Sequence, residues 1–408
     1  MLLFACTSTY TAALTPATLL DPELESQPIN LTGLNGGTLS YFDDERRLTR
    51  AAVDGFVRLT LDEVASEPSA AMDVSLGLIE LVEGQRLAGR WASAARDGEA
   101  LVWAHPTLGR FTLSLDDLRA VTLNQTDAEP VTADQAGTPD GDKVWLNNGD
   151  TLTGFIVAIA DDSVTIQPDG TANEVTLELS TVAALTLANP STPAGESAVV
   201  GDLIALADGS QVRGRGLSIQ QETVSFTPVL ADAAEAVELD VSLVRRIDFA
   251  AAGLRLVELG DQPMTTVAGG TVFGLDWPAE ADGSIVRLHA PVTVVFDLPD
   301  GAERFAATAL LDLPAGLPEA RAALADLELS VAPNTDSSSN DGPPRDVLTL
   351  RADSPTGLLN LTLDGAEQLR LDVDPAANGP VLDRLLLRDA VLLIRLPDPQ
   401  PGSGDPTR

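Results

Sequence analysis

Lysine is almost missing from this 408-residue sequence: Lys143 is the single example. A phosphate loop or Schiff base that needs a lysine elsewhere therefore has no residue to use. Cysteine also occurs once, as Cys6, which excludes an intrachain disulfide and any two-cysteine metal site. Two histidines, His105 and His289, are too few for a histidine-based zinc cluster. Aromatic residues make up 4% of the chain, a low figure for a protein that stacks sugars or bases. No apolar run approaches the ~18–20 residues of a membrane-spanning helix. The richest segment, Val391 to Leu396, is short and contains Arg395. Gly-x-Ser-x-Gly, Walker, His-Glu-x-x-His and Gly-x-Gly-x-x-Gly signatures are all missing. With 61 acidic residues, glycosidase-type carboxylate pairs can be drawn at will, but nothing in the sequence sets two of them across a cleft. The expectation is a protein that is not an enzyme and needs no cofactor, with a glycan hydrolase as the minor alternative.

What the chain does contain is acid. Twenty-five lysines and arginines face 61 carboxylates, a formal charge of −36 and a pI near 4.1. Duplex nucleic acid and anionic membranes repel such a chain, because their binding energy comes largely from cations set against phosphate. Genome composition or a saline habitat accounts equally well for arginine in place of lysine. A hydrophobic content of 44% is ample for packed domains. The length suggests two to four of them, and 33 glycines and 27 prolines suit short strands ending in turns.

The first twenty residues carry no charge. Met1 to Ala5 form an apolar stub, followed by Cys6-Thr7-Ser8-Thr9, and a basic n-region and full apolar core are missing. Two readings stand: a truncated export signal, with Leu3-Phe4-Ala5-Cys6 similar to the end of a lipoprotein signal and Cys6 the lipid anchor, or an ordinary terminus. The expected location is extracytoplasmic: periplasmic, cell-surface or secreted.

Three segments repeat. Ile79 to Gly89, Val144 to Gly154 and Ile204 to Gly214 each carry a turn glycine (Gly84, Gly149, Gly209), an apolar residue three positions on, and a second glycine two positions later. Each copy also ends alike, in Leu113 to Leu123, Leu177 to Leu187 and Leu239 to Phe249. Asn148-Gly149 and Asp208-Gly209 are pairs that close tight antiparallel hairpins. Phe155, Val157 and Ile159 alternate with Ile156, Ala158 and Ala160, which suits a strand with one buried face. The closing block fits a strand, a tight turn and a last strand. Five short strands in so few residues predict small SH3-like or Sm-like barrels, marginal alone and so packed against neighbours. The expected organisation is a leader over 1–20, a degenerate copy over 21–70, barrels over 76–123, 143–187 and 201–249, a β-sandwich over 250–397 and a tail over 398–408. Segments 124–142 and 188–200 read as linkers.

Beyond residue 250 the glycine motif stops. Val292, Val294, Phe296 and Leu298 alternate with Thr293, Val295 and Asp297. Leu369, Leu371 and Val373 alternate with Arg370, Asp372 and Asp374. Val391 to Ile394 is apolar on both faces, as inside a sandwich. Residues 333–346 read as a loop. The chain as a whole is thus expected to be all-β, tandem small barrels followed by a two-sheet sandwich.

Leu288-His289-Ala290-Pro291-Val292, Arg304-Phe305-Ala306-Ala307, Leu369 to Gly379, Asp383 and Asp389-Ala390 are collinear with the landmarks of the NPCBM family of carbohydrate-binding modules, which residues 250–397 resemble. The resemblance implies a jelly-roll sandwich and a non-catalytic, glycan-binding role outside the cytoplasm. Two positions depart: Ile285 to Leu288 stand where the family has glycines, and Leu387 where it has tryptophan. Candidate sugar-contacting residues are His289, Trp277, Arg304, Asp374, Asn378 and Asp383. Each has a plainer reading: His289 as a structural histidine at the start of a strand, Trp277 as packing, the acidic residues as solvated turns. Asp372, Asp374, Asn378 and Asp383 have the offsets of a calcium loop but lack its glycine and its glutamate, so no metal is expected. His105 is assigned no function. Two functions remain open: glycan binding, and a surface assembly protein whose β modules bind protein partners.

Overall fold

The computed structural model describes residues 14–61, 76–123, 141–189, 201–230, 235–250, 253–313, 326–334, 346–375 and 383–396, apart from positions 83, 273, 274 and 364. Cys6, Asn378, the loop centred on 335–345, most of both linkers and the 398–408 tail lie outside them. The fold is all-β, as expected, and every strand pairing is antiparallel. Among the described residues no helix is long and apolar enough to cross a membrane.

The chain divides into two compact units. The first holds four five-stranded barrels. Barrel I comprises β1 (Thr15–Leu20), β2 (Ser26–Asn35), β3 (Thr38–Phe42), β4 (Leu48–Ala52) and β5 (Arg58–Leu61). Barrel II comprises β6 (Gly77–Leu81), β7 (Arg86–Ala95), β8 (Ala100–His105), β9 (Gly109–Ser114) and β10 (Leu118–Thr122). Barrel III runs through β11 (Asp142–Leu146), β12 (Thr151–Ile159), β13 (Ser163–Pro168), β14 (Val175–Glu178) and β15 (Val182–Thr186). Barrel IV runs through β16 (Asp202–Leu206), β17 (Gln211–Gln220), β18 (Thr223–Pro228), β19 (Val237–Asp240) and β20 (Val244–Asp248). In each, the first strand lies between the second and the last, and a single 3-10 turn joins the fourth strand to the fifth. The degenerate copy therefore starts earlier than the sequence suggests. Thr15–Leu20, placed with the leader, form β1, whose alternate residues Ala17 and Leu19 enter the core and pair with β5.

The two motif glycines have different causes. Gly84, Gly149 and Gly209 take φ of 77°, 89° and 87°, a turn conformation that a Cβ penalises, and around Gly84 and Gly149 an added Cβ would meet open space. Gly89, Gly154 and Gly214 sit where the second strand crosses the third: an added Cβ would strike Ala104 and Trp103, the Gln167 carbonyl, or Phe226 at 2.6 Å. Gly149→Ala should accordingly cost about 1–2 kcal/mol of backbone strain. Gly154→Ala should cost clearly more, because backbone has to move. Hydrogen exchange of β12 and β13 in the two variants checks the order.

The second strand of every barrel carries a β-bulge, in barrel III between Ile156 and Ala158. The inserted residue reverses which side chains face inward. Ile156 and Ile159 are both buried, whereas Phe155 is 67% exposed and Val157 is exposed too. Uninterrupted alternation, which would have put Phe155, Val157 and Ile159 on one buried face, does not hold.

Barrels II and III join through their last strands about a pseudo-twofold axis. Ala120 pairs with Thr186, Val121 with Leu185 and Thr122 with Ala184. The repeat makes Ala120 equivalent to Ala184 and Thr122 to Thr186, so each contact is returned by its counterpart. The flanking bonds reciprocate: Leu123 N–H donates to Ala183 O (2.9 Å) and Leu187 N–H to Arg119 O (2.8 Å). Barrels I and IV join the same way, with Leu59 opposite Ile247. There Arg58, 5% exposed, forms a buried bidentate ion pair with Asp248.

Barrels II and IV meet through a different surface, their first hairpins. Arg86 faces Gln211. Arg213 N–H donates to Gln85 Oε1 (2.8 Å), and Ala88 N–H to Ser210 Oγ (2.9 Å). Gln85 and Ser210 are equivalent positions, as are Ala88 and Arg213, so this contact is reciprocal too. The contact order is I–IV–II–III.

The second unit is a two-sheet sandwich. Its strands are β21 (Leu254–Glu258), β22 (Met264–Gly269), β23 (Thr271–Val272), β24 (Leu275–Asp276), β25 (Glu280–Asp282), β26 (Ile285–His289), β27 (Val292–Asp297) and β28 (Ala302–Leu311). They continue as β29 (Asp326–Asn334), β30 (Asp346–Arg351), β31 (Thr356–Thr362), β32 (Gln368–Pro375) and β33 (Arg384–Arg395). One sheet runs β25-β26-β33-β28-β31 with β21 also on β33; the other runs β22-β27-β32-β29-β30. Val294, Phe296, Phe305, Leu329 and Leu371 are fully buried in its core. Val391 to Ile394 are buried on both faces, as their unbroken apolar run predicts. Leu387 is fully buried opposite Val286, so the side chain at this position belongs to the core and not to an exposed surface.

Candidate functional site

One end of the sandwich gathers groups that the sequence scatters over more than a hundred positions. His289 ends β26, not begins a strand, and Ala290 and Pro291 carry the chain round into β27. The β22 end reaches the same corner: Gly270 N–H donates to Pro291 O, and Gly270 O accepts Trp277 N–H at 2.6 Å. Trp277 is thereby fixed beside His289, their ring centroids 4.8 Å apart and their planes tilted by 32°. His289 is 9% exposed and Trp277 is 39% exposed, so part of the tryptophan reaches solvent beside a nearly buried imidazole.

Arg384 completes the group. It pairs with His289 across β26 and β33, and its guanidinium carbon lies 5.9 Å from the Trp277 ring centroid, within the range of a cation–π contact. Asp312 Oδ2 lies 3.4 Å from its Nη2. His289 Nδ1 lies 2.9 Å from Ala290 O. A carbonyl only accepts, so Nδ1 carries a proton and the neutral ring offers Nε2 as an acceptor. The corner thus combines a half-exposed indole, a guanidinium donor and an imidazole acceptor.

Asp383 lies one residue before Arg384, and its backbone O accepts Ala290 N–H at 3.0 Å. Its side chain is fully buried: Oδ1 accepts Asp326 N–H at 3.3 Å, while Oδ2 has no hydrogen-bond partner. Burial pushes its pKa up to about 6; the Asp326 N–H works against this, and the nearby Asp326 carboxylate adds to it. Asp383 therefore supports the corner from beneath and is not a sugar contact.

The remaining candidates divide. Asp374 is exposed near the same end, one residue beyond Val373, which pairs with Val292. Arg304 sits in mid-strand on β28 opposite Leu393, nine positions along β33 from Arg384, or roughly 30 Å at strand rise. It belongs to a different part of the surface. Asn378 lies outside the described residues. Asp372 is engaged by Arg370 and by Thr293 Oγ1 (2.7 Å), and among the described residues no group of three or more acidic, histidine or cysteine side chains could hold a metal. Arg384 and Asp312 escaped sequence reasoning because each acquires its role through a partner remote in the chain.

In the first unit, His105, a loop residue by sequence, is 4% exposed at the end of β8 and meets Ser210 and Asp208 of barrel IV. The trio has the composition of a nucleophilic triad but not its proton arrangement. Nδ1 accepts from the backbone N–H groups of Thr107 and Leu108, both at 3.0 Å. The proton therefore sits on Nε2, which points at Ser210 Oγ (3.0 Å) and Asp208 Oδ2 (3.1 Å) and has no lone pair with which to activate the hydroxyl. Ser210 is also wholly buried. The trio is a clasp between barrels II and IV.

No family model matches the chain, and no curated protein matches it. The solved structures it resembles are largely carbohydrate-binding modules. The CBM51-2 and INT domains of Clostridium perfringens ZmpB align at 18% identity over 45% of this chain and 38% of that one, with a TM-score of 0.26. The CBM51 of Clostridium perfringens GH95, solved with methyl-galactose, aligns at 15% identity over 34% of this chain and 99% of its own length, with a TM-score of 0.23. The tandem CBM51 modules of Streptococcus pneumoniae Sp3GH98 align at 10% identity over 93% and 88% of the two chains, with a TM-score of 0.24. Such low identities and TM-scores leave the function to be argued from this chain's own residues.

Proposed function

We propose that the sandwich is a non-catalytic carbohydrate-binding module of the NPCBM type, carried by an exported protein, and that sugar docks on the corner formed by Trp277, His289 and Arg384. The observation that carries this reading is the half-exposed Trp277 ring, held in place by His289 and flanked by a charged donor. The apolar face of a pyranose lies against an indole, where little side-chain entropy is lost. Convergent polar groups around an apolar floor then fix orientation. Arg384 donates to ring hydroxyls in charge-assisted hydrogen bonds, and His289 Nε2 accepts from them.

A glycan array probed with the full chain tests the reading. Binding to a defined set of sugars, abolished by Trp277→Ala, is the expected result; a flat array overturns it. Under the second reading the modules serve as an assembly scaffold, which the reciprocal contacts between barrels favour. A flat array together with concentration-dependent self-association would support that alternative.

A further inference from the structure

The two reciprocal surfaces are not equally used. Barrels II and IV each spend their last-strand surface on one neighbour and their first-hairpin surface on the other. Barrel III uses its last strand against barrel II, and among the described residues of the barrels nothing pairs with its first hairpin. Burial at equivalent positions registers the difference. Gln85 and Ser210 are 2% and 0% exposed, while their equivalent Asp150 is exposed. Leu87 and Val212 are wholly buried and Leu81 and Leu206 nearly so, whereas Leu152 and Leu146 of barrel III are partly uncovered. Ala88 and Arg213 are buried; Thr153 is not.

We infer that the first hairpin of barrel III, centred on Thr151, is a self-association surface whose occupant is the same hairpin of a second copy of this chain. The II–IV contact is the template. It is isologous, so the surface that fits it fits itself. Thr151 of each copy takes the axial place held by Arg86 and Gln211. The Asp150 carboxylate takes the place of Gln85 Oε1 and Ser210 Oγ and accepts the Thr153 N–H of the other copy, as those atoms accept from Arg213 and Ala88. Leu146 and Leu152 become covered. The barrel series then continues through the new axis, and each particle carries two sandwiches. The inference rests on the barrels alone and is independent of the sugar corner.

The net charge of −36 opposes association, and salt screens it, the Debye length falling from about 8 Å at physiological ionic strength to about 3 Å at 1 M. Sedimentation of the full chain should show a monomer–dimer equilibrium that tightens with salt. Thr151→Glu places two carboxylates face to face on an exposed position and should weaken the dimer about tenfold or more. Directly opposed antiparallel residues stand about 4.5–5.5 Å apart at Cα, within disulfide reach. Thr151→Cys, in a Cys6→Ser background, should therefore cross-link to its own copy on oxidation, while exposed Asp162→Cys should not. A chain that stays monomeric at every concentration and salt level overturns the proposal. So does a dimer that Thr151→Glu leaves unchanged, or one in which Thr151→Cys cross-links no better than Asp162→Cys.

Discussion

Replacing Asp248 by alanine is expected to destabilise the junction of barrels I and IV by about 3–5 kcal/mol, the usual penalty for stranding one partner of a buried ion pair. Arg58 would remain in a site where it is 5% exposed, with its guanidinium deprived of the carboxylate to which Nε and Nη2 now donate. Replacing both partners, Arg58→Met with Asp248→Leu, should recover part of that loss, because the Arg58 charge leaves together with its carboxylate while Arg246 still loses Asp248 as an ion-pair partner at 3.4 Å. Hydrogen exchange in β5 and β20 is the suitable readout, since a chain of two compact units need not unfold in one step. Equal destabilisation by the single and double variants would contradict this view of the pair. Burial opposes the charge of Asp248, yet Arg58 and Arg246 prevail and hold its pKa below the ordinary aspartate value. Its contribution to stability is therefore present above the pKa of an unfolded aspartate and is lost as pH falls through the lower, folded value.

The sandwich should respond to pH in the opposite direction. Asp383 titrates near 6 when folded, against about 3.9 in an unfolded chain. Between those values the folded state keeps a proton that the unfolded state has released, so stability falls as pH rises from about 4 to above 6. About two pKa units correspond to a ceiling of roughly 3 kcal/mol. Asp383→Asn removes the ionisation while keeping an oxygen for the Asp326 N–H, and its amide can donate toward the Asp326 carboxylate. Exchange in β26 and β29 should show the variant more stable than the parent at pH 7, and the two converging near pH 4. A variant less stable at pH 7 would mean that the ionised carboxylate is held by a counter-charge and would refute the assignment.

The repeat was legible because both of its glycines answer to backbone constraints that recur wherever the hairpin does: positive φ at Gly149 and strand crossing at Gly154. The sandwich strands were legible from alternation, as in β27 and β32. The inward face of β12 was not, because one inserted residue reverses the parity and no residue type marks where the insertion falls. Barrel I was seen only in part, since its first connection, over 21–25, lacks the glycine that marks the other copies.

The site was legible to a similar extent. Trp277 and His289 meet, as a shared role requires. Arg304 shares their sequence motif order but not their location, since collinearity says nothing of distance along a strand. Arg384 and the His105 clasp depend on pairings across the sheet and between barrels, which a single sequence does not display.

Titration calorimetry of the full chain with a sugar selected on the array bears on the Trp277 corner without an intermediary. Affinity should be lost in Trp277→Ala, reduced by roughly 1.5–3 kcal/mol in Arg384→Ala, where a charge-assisted hydrogen bond is removed, and unchanged in Arg304→Ala. Binding that survives Trp277→Ala, or that disappears in Arg304→Ala, would place the sugar elsewhere and contradict the proposed function.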